Sequence, residues 1–248
     1  VTGKIIFEKS DAVFADEGTY LTKLDAIPEI DSAFLFSASG GKHAPIIAKE
    51  LKKRKKKIIL ITNNQDAMAK KFADKTLVFP KNPEPYTYNT STYMGMILGH
   101  TKENPKIILD HLKKLKIPNF KPYDSFYIIV PEEFENVREL FLTKFDELFG
   151  SKVTGRCFTP EQTKHAKTVV PDDKELFIGI GYKNTAFGNH RVNFTLPKDA
   201  KAASIMAVGY YIIGHIQKQK PAYFKNNIVT YCKTASKLFS QTINPIVE

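Results

Sequence analysis

The sequence predicts an α/β protein of two lobes. Each lobe is a parallel sheet flanked by helices in three αβα layers, and the first lobe is the shorter. Two observations lead there. Short apolar runs alternate with helix-patterned stretches along most of the chain, the arrangement of βαβ units. The same theme then starts again after a connector near 115–124, where two prolines and polar residues suit a linker. This divides the chain into 1–118 and 119–248. A length of 248 residues accommodates one large α/β domain or two small ones.

In order along the chain, Lys4–Phe7 reads as a short strand and Gly18–Ile27 as a helix. The apolar run 33–36 is a strand, followed by a helix over 43–55 and a strand over 57–62. A helix at 65–72 and a strand at 75–79 follow. Residues 81–85 form a turn-rich loop. A helix starts at 92–100, and another spans 104–115, with Pro105 near its start, where proline is tolerated. In the second half, strands are expected at 125–130, 152–158, 175–180 and 191–196. Helices are expected at 134–149, ended by Gly150, at 200–218 and at 224–240.

The most informative stretch is the first of these units. A strand runs into the turn Ser37–Gly41, and a helix follows. This sequence places backbone N–H groups and two hydroxyls at a helix N-terminus, where unpaired donors and partial positive charge suit a phosphate. Ser37, Ser39, Gly40 and Gly41 form the expected cradle: glycine lets the backbone approach an anion, and the hydroxyls donate to it. Lys42 adds a charge-assisted contact or points to solvent. Thr90 and Thr92 are further phosphate ligands, with a helix N-cap as their plain alternative. An ordinary serine-capped turn is the plain alternative for the loop itself.

Composition excludes other classes. No run reaches the ~18 apolar residues of a membrane helix; the longest, Ile205–Ile216, is interrupted by His215. No secretory signal is visible, and the chain opens on Val1. Cys157 and Cys232 stand far apart with no CxxC, so a reducing, cytoplasmic setting fits better than a disulfide framework. The six histidines show no HxxxH or HExxH spacing, so no dedicated metal site is expected. The Gly179-Ile180-Gly181 turn lacks the third glycine of a dinucleotide loop, and Gly41-Lys42 lacks the upstream glycine of a Walker loop. The net charge is +11, with much of it in Lys49, Lys52, Lys53, Arg54, Lys55, Lys56 and Lys57. A solvated helix end explains this run more simply than a nucleic-acid patch, and no nucleic-acid motif accompanies it.

Ser37, Ser39 and Gly40 after a strand are followed in order by Ile61-Thr62, Ala73-Asp74, Pro83-Glu84 and Thr90-Ser91-Thr92-Tyr93. This succession resembles the sugar isomerase (SIS) domain. Pro160-Glu161 ahead of Lys164-His165 resembles the segment that carries the ring-opening histidine in two-lobed members. The plan as a whole is similar to phosphoglucose and phosphomannose isomerases and to the isomerase half of glucosamine-phosphate synthases.

The sequence departs from the family pattern: the first lobe is shortened by a strand and helix, and the segment before His165 has one residue too many. Lys42 replaces the usual threonine, no GxGxS turn precedes the loop, and Val130-Pro131-Glu132 stands where the second lobe's Gly-rich turn belongs.

The resemblance implies a sugar-phosphate ligand, no cofactor, a homodimer and aldose–ketose isomerisation through an enediol. His165 would open the ring, a task that a pKa near neutrality suits. Phe149 occupies the spacing at which the proton-transfer carboxylate is expected. Glu147, two residues earlier, and Glu84 are therefore the two alternatives for that base. A phosphosugar-binding protein without catalysis is the rival reading, motivated by the missing glycine turns and the misregistered glutamate.

Overall fold

The computed structural model describes residues 1–80, 90–240 and 242–245, with only the backbone at 90–92. The chain separates into two compact units, one formed by Thr2–Met96 with the chain from Tyr231 onward, the other by Ile97–Thr230. The connector at 115–124 lies within the second unit.

In the first unit, α1 (Thr2–Ile6) and α2 (Tyr20–Ala26) precede β1 (Ser32–Phe36), α3 (Ala44–Lys53), β2 (Lys57–Thr62), a 3-10 turn (Met68–Phe72) and β3 (Lys75–Val78). The strands pair in the order β1-β2-β3, all parallel. The central strand is β2, and on one of its faces Ile58 and Leu60 are fully buried. Helix α3 covers that face because Ala44, Ala48 and Leu51 recur at helical spacing and are buried, while its lysines stay outside. Leu60 packs with Ala44, Ala48, Ala67 and Ala69, and Ile58 with Leu24 and Leu51. Each such large apolar side chain contributes roughly 1.5–3 kcal/mol by leaving water. Asp74 fixes the start of β3: one carboxylate oxygen accepts from the Ile58 amide at 2.8 Å and the other from Lys52 Nζ at 2.9 Å.

Two expectations are corrected in this unit. Lys4–Phe7 is not a strand: Thr2–Ile6 is helical and buries Thr2 and Ile5. A short apolar run serves a single amphipathic turn as readily as a strand, and here Phe7 packs on Phe34 and Phe36, at 4.8 and 6.3 Å between ring centres. The helix expected over 65–72 shrinks to the 3-10 turn, because its backbone is recruited elsewhere: Asp66 N donates to Asn64 Oδ1 and Ala69 N to the carbonyl of Gly40. The loop at 81–85 lies outside the described residues.

Helix α4 (Thr90–Thr101) carries the chain from the first unit into the second. There follow α5 (Pro105–Leu112), β4 (Ser125–Ile129), α6 (Arg138–Phe149), β5 (Thr154–Phe158), α7 (Pro160–Lys164), β6 (Glu175–Ile180), β7 (His190–Phe194) and α8 (Ala202–Gln219). Helix α9 (Tyr223–Leu238) then returns the chain to the first unit. The second sheet has the order β5-β4-β6-β7, again wholly parallel. The helix expected over 134–149 begins only at Arg138; Glu132–Val137 form a 3-10 turn broken at Phe134. The short helix α7 was not expected. Thr159 creates it by closing a reciprocal capping box with Gln162.

Helix α6 buries Phe141, Phe145, Leu148 and Phe149. It meets α8 at Gly209, where a Cβ would come within 2.2 Å of the Phe141 ring, so only glycine admits that ring. The opposite face is lined by Tyr127, Ile129 and Phe177, with Phe158, Tyr182 and Phe187 packed on them. Tyr127 and Phe177 stack at 4.6 Å.

The N-terminus of α8 is capped from a distance by Glu103. Its carboxylate accepts from the amides of Lys201 at 2.8 Å, Ala203 at 2.9 Å and Ser204 at 3.0 Å. Burial alone pushes the Glu103 carboxyl up, but the hydrogen bonds from Ser204, Lys201 and Ala203 outweigh it and hold the group below its usual range. A carboxylate depressed in the folded state contributes stability at neutral pH that is lost as pH falls through its folded pKa. Glu103→Ala is expected to cost about 1–2 kcal/mol at neutral pH. The gap to wild type should narrow in acid, as read by thermal unfolding at both conditions; a gap independent of pH would overturn the assignment. Among the described residues no helix is long and apolar enough to cross a membrane.

Candidate functional site

The turn after β1 is built from side-chain and backbone bonds of neighbouring elements. The Ser37 amide donates to the Ile61 carbonyl at 3.0 Å, extending the β1–β2 ladder by one bond. Ala38's carbonyl accepts twice, from the Asn63 amide at 2.9 Å and from the buried Thr62 hydroxyl at 2.8 Å. Asn64 Nδ2 donates to the Ser39 carbonyl at 3.0 Å, and the Ala69 amide to that of Gly40 at 3.1 Å. The end of β2 and the 3-10 turn thus hold the loop by the carbonyls of Ala38, Ser39 and Gly40.

The two serines fold the loop on itself. Ser37 Oγ accepts from the Gly40 amide at 3.2 Å, and Ser39 Oγ from the Gly41 amide at 3.3 Å. Ser39 is exposed and Ser37 half-buried. Gly40 is buried with φ +63°, and a Cβ there would lie 2.2 Å from Ala67 Cβ. Both the left-handed backbone and the packing therefore require glycine. The loop opens directly onto α3, whose first residue has no side-chain cap and whose second is Pro45. Among the described residues, the N-cap His43 makes no side-chain cap bond at the positive end of the dipole.

Lys42 has φ +53° and is exposed. Its ammonium stands over the Phe239 ring, 4.7 Å from the centroid, and His43 meets the same ring edge-on at 5.6 Å. The C-terminal segment thereby holds the lysine beside the loop by cation–π attraction. Sequence reading missed Phe239 because nothing local signals so distant a partner. It also missed the holding role of Asn64 and Ala69, although Thr62 was already marked.

The structure assembles Ser37, Ser39, Gly40, Gly41 and Lys42 on one loop. Thr90 and Thr92 lie in the first turns of α4, and Glu84 lies outside the described residues.

In the second unit, His165 ends α7 and is exposed, its amide donating to the Gln162 carbonyl at 3.2 Å. The turn after β4 is acidic where the first unit's loop is hydroxylic: Glu132 accepts from the Glu161 amide at 2.9 Å, and Glu135 from Gln162 Nε2 at 2.6 Å. The carboxylates of Glu132 and Glu135 thus occupy these two donors of α7. Glu147 sits near the end of α6, ion-paired with Lys144. Since α6 runs back between two parallel strands, this places Glu147 toward the N-terminal ends of β4 and β5, the end opposite α7.

No family model matches the sequence, and no curated protein matches it. Solved structures do match. Tagatose-6-phosphate ketose/aldose isomerase from Escherichia coli superposes with a TM-score of 0.60 at 11% identity, over 87% of this chain and 79% of that one. Glucosamine-6-phosphate deaminase from Thermotoga maritima gives 0.58 at 18% identity, over 87% and 74%. The C-terminal domain of glucosamine-fructose-6-phosphate aminotransferase from Francisella tularensis gives 0.54 at 12%, over 88% and 80%. The chain has the sugar isomerase fold. Within the sugar isomerase fold the described first sheet is the shorter one, three strands against four.

Proposed function

We propose that the chain is a phosphosugar-binding protein of the SIS family that seats the ligand's phosphate in the loop Ser37–Lys42. The observation that carries this is the loop's construction: its carbonyls are held from behind by Thr62, Asn63, Asn64 and Ala69, while its serines, the α3 N-terminus and Lys42 remain on the ligand side. Serine hydroxyls held in place beside a helix N-terminus and a lysine suit an anion. The names of the matching structures accord with this ligand class.

Aldose–ketose isomerisation is the reaction that best fits the reading. His165 would move the proton between ring oxygen and anomeric hydroxyl, and Glu84 would shuttle a proton between C1 and C2 through the enediol. The position of Glu147, salt-bridged near the far end of α6, lends that residue no support as the base. The same position favours a second reading, binding without turnover. In either reading the working form is expected to be a cytoplasmic homodimer without cofactor.

A thermal-shift screen with the 6-phosphates of fructose, glucose, mannose, galactose, tagatose and glucosamine, followed by NMR of each hit over time, tests both readings. A ligand that binds only the folded state raises Tm. A shift with aldose–ketose interconversion is the expected result, and a shift without it supports the binding-only reading. Ser39→Ala should weaken binding about tenfold, or ~1.4 kcal/mol. His165→Ala should slow turnover of the closed sugar while leaving binding in place. No shift with any of the six would reject the phosphate loop.

A further inference from the structure

Helix α3 starts at the phosphate loop and ends at a second concentration of positive charge. Among the described residues, Lys52, Lys55, Lys56 and Lys57 line a cleft of about 490 Å³ with a single carboxylate, Asp74. That carboxylate is fully engaged, accepting from Lys52 Nζ and from the Ile58 amide. Lys56 Nζ donates to a neutral partner, the Pro28 carbonyl, at 3.0 Å. Lys55 and Lys57 are exposed and carry no ion pair among the described residues.

The helix dipole accounts for Lys52 and Lys53, which lie in the last turn. It does not account for the three lysines beyond it. Lys55 in particular stands where glycine is favoured. The Lys55 amide donates to the Lys52 carbonyl and the Lys56 amide to that of Leu51, each at 3.0 Å, closing a Schellman turn with Lys55 at φ +56°.

We propose that this cleft is an anion site for a compact polyphosphate group, separate from the sugar-phosphate loop. Its lining selects that class. Lysines act as point charges that several phosphate oxygens can share. Among the described residues no aromatic ring lines the cleft, as a platform for stacked bases would require. The one neighbouring guanidinium, Arg54, is committed to Glu50 at 2.8 Å and Asp25 at 2.5 Å. The cleft's size lies within the range of small-ligand sites.

Calorimetric titration of the full chain with inorganic tripolyphosphate at low salt tests the proposal, with Lys55→Gly/Lys57→Ser and Ser39→Ala as variants. Glycine suits the turn, so the double variant should melt no lower than wild type. Tripolyphosphate should bind wild type and Ser39→Ala alike, bind the double variant at least tenfold more weakly, and lose affinity as salt rises. Failure of wild type to bind, equal binding by the double variant, or loss of binding in Ser39→Ala would overturn it. So would a single-stranded oligonucleotide that binds more tightly than tripolyphosphate at the same ionic strength, since that would assign the lysines to a nucleic-acid backbone.

Discussion

Gly40→Ala is expected to destabilise the first unit by about 2–4 kcal/mol and to abolish ligand-induced stabilisation. Two costs combine. The residue sits at φ +63°, where an L side chain is strained, and the added methyl would meet Ala67 Cβ at 2.2 Å and its Cα at 3.1 Å. Relief by moving Ala67 is costly, because Ala67 is 4% exposed and belongs to the cluster under α3. The Tm should fall by about 5–10 °C in a calorimetric scan. Combining the change with Ala67→Gly should recover the steric part and leave the conformational part. A Gly40→Ala protein as stable as wild type would show that the loop is not held as described, and the phosphate-loop reading would lose its rigid base.

The second large effect belongs to Glu175 in the second unit. Its carboxylate is 5% exposed and receives a two-pronged contact from Arg156, Nε at 2.9 Å and Nη2 at 2.6 Å, together with the Ser125 hydroxyl at 2.8 Å. These bonds tie the starts of β4, β5 and β6 together. Arg156 also lies over the Tyr127 ring at 4.5 Å and donates to the Lys167 carbonyl at 3.1 Å. Removing one partner of a buried pair leaves the other charge uncompensated, a loss of about 3–5 kcal/mol where both groups are buried. Arg156 is 33% exposed, so water softens the loss to about 2–3 kcal/mol for Glu175→Ala. Glu175→Gln should lie between, keeping the shape and the serine bond while losing the charge. Denaturant unfolding of both single alanine variants and the double variant measures the pairwise energy. A coupling energy near zero would mean that the stacking on Tyr127, not the ion pair, is what holds Arg156.

The strand, turn and helix around Ser37–Lys42 were legible in the sequence because their signal is local. A strand, a hydroxyl- and glycine-bearing turn and a helix start within a few residues of one another, and each is set by the preferences of its own side chains. The parallel strands were legible for the same reason, since runs such as Lys57–Thr62 and Ser125–Ile129 are apolar without alternation, the mark of strands covered on both faces. The short apolar run after Lys4 failed as a strand because one turn of helix and one short strand place apolar residues equally well. Only the docking of Phe7 on Phe34 and Phe36 separates them.

Sequence alone therefore determined the α/β class, the two-lobed plan and the strand, turn and helix around Ser37–Lys42, all of which follow from periodicity and turn chemistry. Tertiary structure alone decided the rest. It brought Phe239 against Lys42 and Glu103 to the head of α8. It set Glu147 in an ion pair on α6, and it brought the carboxylates of Glu132 and Glu135 onto donors of α7. Each of these depends on which distant segments meet. That is fixed by the burial of whole helix and sheet faces, and no single stretch of residues encodes it.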